Sequence, residues 1–305
     1  MQVETIAGGV HSIDVNYLGR PGGIAACVLE TDAGLVLVDP GPTSSLHGLH
    51  AGLASLGMRM ADATLLLLTH IHLDHAGAAG TLVAAHPGLR VGVHARGAPH
   101  LANPGRLLDS ALRIYGGGMD RLFGEVRPVP GHAIDALRGG ETLQRGGRTL
   151  RIADAPGHAV HHLACLDERS GTVFVGDTAG ERFAPAEWVL PVTPPPDIDL
   201  EAWHTTLDAI RTMQPDRLFL THFGPAVDVP DHLDRLARSL DAWAQRVRAS
   251  LDEPGDDARR AAAFVESVSA DIRAHVPAEL VPDYLGGGLT DSWYGLARYW
   301  RKRAA

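Results

Sequence analysis

Residues 65–75 have the sequence LLLLTHIHLDH, in which an apolar run is followed at once by a cluster of polar side chains. The apolar run predicts a buried strand that ends at His70. His70, His72, Asp74 and His75 then place four side chains of the metal-binding types within six residues. A turn at the end of a strand can direct such side chains into one cavity, and imidazole and carboxylate groups suit a divalent ion such as zinc. The stretch therefore predicts a metal site rather than a solvated loop.

Three more predicted strands are each followed by a residue that can bind a metal. His158 follows an apolar segment in the second half of the chain, Asp177 follows the strand predicted at 172–175, and His222 follows the one predicted at 217–220. Any one of these residues alone would more often be structural. Together with the cluster after residue 69 they supply enough ligands for two ions.

The complete pattern, His70-x-His72-x-Asp74-His75 followed by His158, Asp177 and His222, resembles the metallo-β-lactamase-fold hydrolase superfamily, including its glyoxalase II-like and lactonase-like members. The resemblance covers about residues 10–225 and fills all seven motif positions. It implies an α/β fold, a four-layer αββα sandwich with a C-terminal helical extension. It also implies a dinuclear metal site at one edge of the two sheets.

The resemblance also implies a role for each motif residue. The first ion would be held by His70, His72 and His158, the second by Asp74, His75 and His222, and Asp177 would bridge the two. Asp74 and Asp177 are the expected catalytic side chains. The expected cofactors are two divalent ions, Zn²⁺ in the first place and Fe or Mn as alternatives.

The C-terminal part of the chain changes character after the last motif residue. Leucine, tryptophan and valine recur there at helical spacing from Leu233 to Leu251, and a second helix is predicted over 258–274. We therefore expect a catalytic domain over 1–228 and a helical C-terminal extension over 229–305 that packs on it.

Several polar residues outside the motif are candidates for supporting roles. Asp39 ends a predicted strand, where orienting a ligand histidine and forming an ordinary turn are equally good interpretations. His94 and His162 are further candidates for contact with the ligands. The proline-rich loop 180–196 is expected to form a wall of the substrate cleft. The remaining histidines, such as His11 and His232, fit no ligand pattern and are expected at surface or helix-face positions.

Composition limits the partners of the chain. Its 305 residues carry a formal charge of −9, which disfavours a nucleic-acid surface, and the longest aliphatic run is far too short to span a membrane. The two cysteines cannot form a disulfide framework, and no secretory signal is recognised at the N-terminus. We therefore expect a cytoplasmic protein with a small-molecule substrate, no nucleic-acid or membrane partner, and a homodimer left open.

The reaction expected from these residues is hydrolysis of an ester, thioester or lactone through a metal-bound hydroxide. The alternative is a mononuclear-iron oxidoreductase resembling persulfide dioxygenases, which share much of this ligand set. A nuclease or phosphodiesterase is less favoured because the chain lacks a basic surface and an obvious inserted domain.

Overall fold

The computed structural model describes residues 2–286 and 288–304, which form two β-sheets with helices on their outer faces. The seven strands of the first sheet lie side by side in chain order: β1 (Val3–Ala7), β2 (Val10–Asp14), β3 (Ala25–Thr31), β4 (Gly34–Val38), β5 (Ala63–Leu67), β6 (Arg90–His94) and β7 (Ile134–Leu137). Strands β1 to β4 pair antiparallel, and β4 to β7 pair parallel. Parallel pairing from β4 onward gathers the carboxyl ends of these strands at one edge.

The second sheet has six strands: β8 (Thr142–Arg145), β9 (Arg148–Asp154), β10 (Leu163–Asp167), β11 (Thr172–Phe174), β12 (Arg217–Leu220) and β13 (Gly224–Ala226). They also lie side by side, from β8 at one edge to β13 at the other. Only β11 and β12 pair parallel, and the connection between them contains a helix. The carboxyl ends of β11 and β12 therefore lie together.

The helices of the described residues, excluding short 3₁₀ turns, are α1 (Leu46–Ser55), α2 (Leu73–Ala76), α3 (Ala79–Ala85), α4 (Ala98–Ala102), α5 (Gly105–Tyr115), α6 (Met119–Phe123), α7 (Leu200–Thr212), α8 (Val229–Ser250), α9 (Asp257–His275), α10 (Val281–Leu285) and α11 (Leu289–Ala304). Two of the longer ones begin at aspartate caps. Asp199 accepts a hydrogen bond from Ala202 N at the start of α7, and Asp256 does the same for Arg259 N at the start of α9.

Alternation along the strands separates three apolar layers. In β3, Cys27 and Leu29 face the second sheet, where they pack with residues such as Phe174 and Phe219. Their neighbours Ala26 and Val28 face the other way, toward apolar residues of α1 and α3. Helices α7, α8, α9 and α11 cover the outer face of the second sheet. The layers thus run helix, sheet, sheet, helix, which confirms the predicted αββα sandwich with C-terminal helices.

Some local predictions need correction. Within the ligand cluster, residues 73–76 form a helical turn, α2, which is separate from the following helix α3. His11 lies in β2 and is buried, with Nε2 2.9 Å from Glu30 Oε1, so it is at neither a surface nor a helix position. His232 lies on a helix, α8, as expected, on its buried face, where its ring donates to Ala179 O. Both cysteines are buried and unpaired. Within 2–286 and 288–304, none of the helices combines the length and apolar character needed to cross a bilayer.

Candidate metal centre

The seven motif residues meet where strand ends of the two sheets approach one another. His70, His72, Asp74 and His75 follow β5 of the first sheet, whereas the other three follow β9, β11 and β12 of the second. Two backbone hydrogen bonds connect the sheets at this edge, from Leu163 N to Thr69 O at 2.7 Å and from Ala25 N to Thr221 O at 2.9 Å. The fold therefore brings together ligands that lie in distant parts of the sequence.

The first group of potential ligands combines three histidines with one carboxylate: His70, His72, His158 and Asp177. One ligand atom from each lies within 4.8 Å of all the others. The Nε2 atom of His158 is 3.0 Å from Nδ1 of His72 and 3.6 Å from Oδ2 of Asp177. Two of the four residues come from each sheet, so an ion held by this group would join the sheets.

The second group consists of Asp74, His75 and His222. Nε2 of His222 is 3.3 Å from Asp74 Oδ2, and Nε2 of His75 is 3.8 Å from the same oxygen. Asp177 Oδ1 lies 3.1 Å from His75 Nε2 and 3.7 Å from His222 Nε2, whereas its Oδ2 points to the first group. The Asp177 carboxylate thus presents one oxygen to each group, the arrangement that a bridging ligand needs.

Unsatisfied polar atoms show that these residues suit cations. Nε2 of His70, Nε2 of His75 and Oδ1 of Asp177 are all buried without a hydrogen-bond partner among the described residues. The last two are close together but not aligned for a hydrogen bond. Buried polar atoms without partners cost about 1–3 kcal/mol each, and divalent ions would satisfy all three at once.

The ring nitrogens that point away from the centre are held by the surrounding protein. Nδ1 of His158 donates to Val192 O at 2.7 Å, and Nδ1 of His222 donates to Gly23 O at 2.8 Å. Nδ1 of His75 donates to the Asp39 carboxylate at 2.8 Å. Each bond fixes the tautomer that leaves Nε2 free to bind a metal.

Asp39 connects both sheets behind the ligands. It is fully buried, and its carboxylate accepts hydrogen bonds from His75, from the amide and hydroxyl of Thr69, and from the hydroxyl of Thr221. Its φ of 47° lies in the left-handed region. Of the two interpretations left open by the sequence, the structure supports the one in which Asp39 orients a ligand histidine.

The other two supporting candidates have different surroundings. The ring of His162 is buried against that of His70, with centroids 4.8 Å apart, and belongs to neither ligand group. Nε2 of His94 lies 3.3 Å from Asp154 Oδ1, and its Nδ1 accepts from Arg96 N. His162 thus packs on a ligand, whereas the polar contacts of His94 are made outside the two groups.

The electrostatic environment divides the histidines into two classes. Burial, and then the proximity of His158, lowers the pKa of His72 to about 3, and burial lowers the pKa of His70 as well. Burial also opposes protonation of His75 and His222, but neighbouring carboxylates outweigh it and raise the pKa of His222 to about 9. The histidines of the first group are therefore neutral, the form that binds metals, and those of the second group carry protons that ions would displace.

Two glycines allow the backbone to pass close to the site. Gly176 precedes Asp177 with a φ of 47°, and a Cβ there would lie 2.4 Å from the hydroxyl oxygen of Thr69. Gly157 precedes His158 with a φ of 136°, and a Cβ there would lie 2.4 Å from Cβ of Trp203. Both positions combine positive φ with close contact, so a larger residue would displace the ligand that follows.

A cavity of about 750 Å³ opens onto the ligands. As expected, loop 180–196 forms part of its wall, through residues that include Glu181, Phe183 and Val192. The sequence did not indicate that α5, α6 and residues from 282–286 and 288–292 also contribute to the wall. The apolar spacing of α5, with Leu107, Ala111 and Ile114 on one face, is the only sequence signal that could have suggested it.

Comparisons with known proteins agree with this geometry. The family model of the metallo-beta-lactamase superfamily matches residues 19–222. A metallo-beta-lactamase fold-containing protein of Sulfurisphaera tokodaii is 26% identical, over 71% of this chain and 78% of its own. A hydroxyacylglutathione hydrolase of Synechococcus sp. is 30% identical, but over only 41% of this chain and 37% of its own. The structure of a metallo-beta-lactamase family protein of Thermus thermophilus covers 97% of this chain and 94% of its own, with a TM-score of 0.71 and 23% identity.

Proposed function

The chain belongs to the metallo-beta-lactamase superfamily, and from that premise we propose that it is a dinuclear metal-dependent hydrolase of esters, thioesters or lactones. The observation that carries the proposal is the position of Asp177, with one carboxylate oxygen toward each group of ligands. The relative from Synechococcus that is named a hydrolase supports the reaction class. We propose two divalent ions, with zinc as the first choice because histidine and aspartate are typical zinc ligands.

Two bound cations would supply an activated water at neutral pH and charge stabilisation for the oxygen that becomes negative during acyl transfer. His70, His72 and His158 would hold one ion, Asp74, His75 and His222 the other, and Asp177 both. The protein also positions these side chains in advance through the hydrogen bonds of their outer nitrogens.

The two catalytic carboxylates differ in access to the cavity. The Asp74 side chain is 31% exposed, whereas that of Asp177 is 4% exposed. Asp74 can therefore exchange a proton with a molecule in the cavity, and Asp177 is enclosed and suited to hold the two groups together. Within the described residues, both cysteines are buried away from the cavity lining, which leaves them no role as nucleophiles.

The substrate is proposed to be a small molecule, because the ligands lie inside a cavity rather than on an extended surface. The net charge of −9 disfavours a nucleic acid. Whether the chain forms a homodimer does not affect this proposal, since all seven ligands come from one chain.

The test is a metal count on the purified protein, followed by assays on thioesters, lactones and phosphodiesters. We expect two divalent ions per chain and turnover of an acyl substrate. Asp177→Ala should lower that turnover by more than the roughly 100-fold that is typical when an outer partner of a ligand is removed. One iron per chain, with oxygen uptake on glutathione persulfide, would instead establish the dioxygenase alternative. Preferential cleavage of phosphodiesters would also overturn the proposal.

A further inference from the structure

The cavity above the metal centre is chemically different at its two ends. We propose that it binds an amphiphilic acyl compound, with an anionic group held near Arg96 and Arg106 and an apolar chain lying against Leu18 and Ile114. The inference rests on the proposed function and specifies its substrate class.

Helix α5 forms the wall that connects the two ends. The residues that it turns toward the cavity are Arg106, Leu107, Ser110, Ala111, Ile114 and Tyr115. They recur every three or four positions and so lie on one face of the helix. That face is cationic at its first turn and apolar at its last. A ligand lying along α5 would therefore contact charge at one end and hydrocarbon at the other.

The cationic end is not neutralised by the protein. Within residues 2–286 and 288–304, no carboxylate oxygen lies within 4.0 Å of the guanidinium groups of Arg96 or Arg106, whereas the third arginine of the cavity, Arg20, is paired with Asp283 at 2.9 Å. Among the described residues, the guanidinium of Arg96 donates only to a backbone oxygen, that of Val160. Arginines that keep free N–H groups can form charge-assisted hydrogen bonds with a carboxylate or phosphate.

Apart from Asp74 and Asp177 at the metal centre, the acidic residues that line the cavity lie on other walls. Glu181 belongs to loop 180–196, Asp197 to the connection that leads to α7, and Asp291 to α11. Asp283, on α10, is the partner of Arg20. Among the described residues that line the cavity, the arginines without a carboxylate partner are thus Arg96, just before α4, and Arg106, on α5.

The cationic end adjoins the first ligand group. His161 lines the cavity next to Val160, to which Arg96 donates. The ring of His161 lies 5.8 Å from that of His72. An anion bound to Arg96 would therefore lie on the His72 side of the metal centre and not on the Asp74 side.

The apolar end adjoins the second ligand group. Leu18, Ile114 and Tyr115 line the cavity, yet they are 40%, 37% and 43% exposed. Tyr17 packs beside Gly23, where a Cβ would lie 3.7 Å from Tyr17 Cβ, and the carbonyl of Gly23 accepts from the second-group ligand His222. Exposed apolar side chains that line a cavity and continue to a reactive centre are expected to be covered by a ligand.

Binding of a thioether that cannot be hydrolysed tests the inference without relying on turnover. The probes are 3-(octylthio)propanoate and its neutral amide, 3-(octylthio)propanamide, titrated calorimetrically into the zinc-loaded protein. We expect the propanoate to bind about tenfold more tightly than the amide, because only the propanoate forms charge-assisted hydrogen bonds. Shortening octyl to butyl should weaken binding by at least about tenfold, since each buried methylene contributes up to about fourfold.

Matched variants of α5 locate the two ends. The double variant Arg96→Gln/Arg106→Gln should abolish the preference for propanoate, whereas Arg113→Gln, which does not line the cavity, should keep it. Ile114→Ser should reduce the dependence on chain length, whereas Leu112→Ser should not, because Leu112 is 55% exposed and does not line the cavity.

Equal affinity for the propanoate and the amide would overturn the inference. So would a preference that survives in the double arginine variant, because the carboxylate would then be bound at the metal centre. Affinity that does not depend on chain length would also overturn it. If the binding pattern is as expected but no thioester is hydrolysed, the inference stands and the proposed function fails.

Discussion

Asp39→Asn is the substitution that tests most directly how the fold supports the metal centre. The change keeps the shape of the side chain but replaces one carboxylate oxygen by an NH₂ group. If the remaining oxygen occupies the Oδ2 position, it can still accept from His75, Thr69 Oγ1 and Thr221 Oγ1. The new NH₂ group then faces Thr69 N–H, which is 2.8 Å from the other oxygen.

The expected cost follows from this arrangement. Two buried donors that face each other leave unsatisfied N–H groups, each of which costs about 1–3 kcal/mol of stability. The three remaining hydrogen bonds also become weaker, because their acceptor is no longer charged. We expect the free energy of unfolding of the metal-free protein to fall by about 3 kcal/mol. We also expect zinc affinity to fall by about 10–100-fold, because the Asp39 carboxylate no longer increases the basicity of His75.

Urea unfolding in the presence of a chelator and at a fixed free zinc concentration separates the two effects. At 100 times the Kd of the parent protein, zinc adds about 2.7 kcal/mol to its stability. At the same free zinc concentration, a 10–100-fold loss of affinity would reduce that gain in Asp39→Asn to about 0.4–1.4 kcal/mol.

Asp167→Asn is the matched control. Asp167 is another buried carboxylate, bonded to Arg148 and Ser170, but it lies at the end of β10 farthest from Leu163 and the metal centre. The control should lose stability and keep the full gain from zinc. If Asp39→Asn also kept the full gain, its carboxylate would be only structural, and the reasoning about His75 would be wrong.

Three further changes have defined outcomes. Gly176→Ala should destabilise the protein and weaken zinc binding, because the new Cβ would displace the Thr69 hydroxyl. The control is Gly88→Ala, whose new Cβ would have no atom within 4 Å and should have little effect in the same unfolding and zinc titrations. Tyr284→Phe removes a hydroxyl that accepts from one residue of loop 180–196 and donates to another, and should lower Tm by on the order of 2 °C in calorimetry. In the metal-free protein the folded-state pKa of His72 lies below the unfolded value of 6.5, so the unfolded state binds more protons in acid. The free energy of unfolding should therefore fall as the pH drops below 6.5, by up to about 1.4 kcal/mol per pH unit for this residue. Unchanged urea midpoints between pH 6.5 and 5 would contradict the assignment of His72 as neutral.

The candidate metal ligands could be identified from the sequence because they form a local signal. Four of them lie within six residues, and the others directly follow apolar runs, so strand prediction alone places them at strand ends. How they divide into two groups depends on how the sheets face each other. That division followed only from the family resemblance, and the structure brings the residues together in the way the resemblance implied.

Long-range contacts were much harder to predict. The roles of Asp39 depend on Thr221, which is 182 positions away, so no local pattern could decide between a turn and a support for the ligands. The buried ring of His232 donates to a carbonyl 53 positions away, that of Ala179 in the turn after β11. The position of α5 in the cavity wall was not predicted either. The amphipathic spacing of a helix indicates that its apolar face is buried, but not whether that face packs on the core or lines a cavity.

Each ligand group takes side chains from both sheets, so binding of an ion is thermodynamically linked to the association of the two halves of the fold. Part of the binding free energy would appear as resistance to their separation. Conversely, a substitution that shortens a core side chain between the sheets, for example Phe174 or Phe219, would lower metal affinity although neither residue is a ligand. The metal affinity of the site should thus depend on the packing between the two sheets as well as on the ligands themselves.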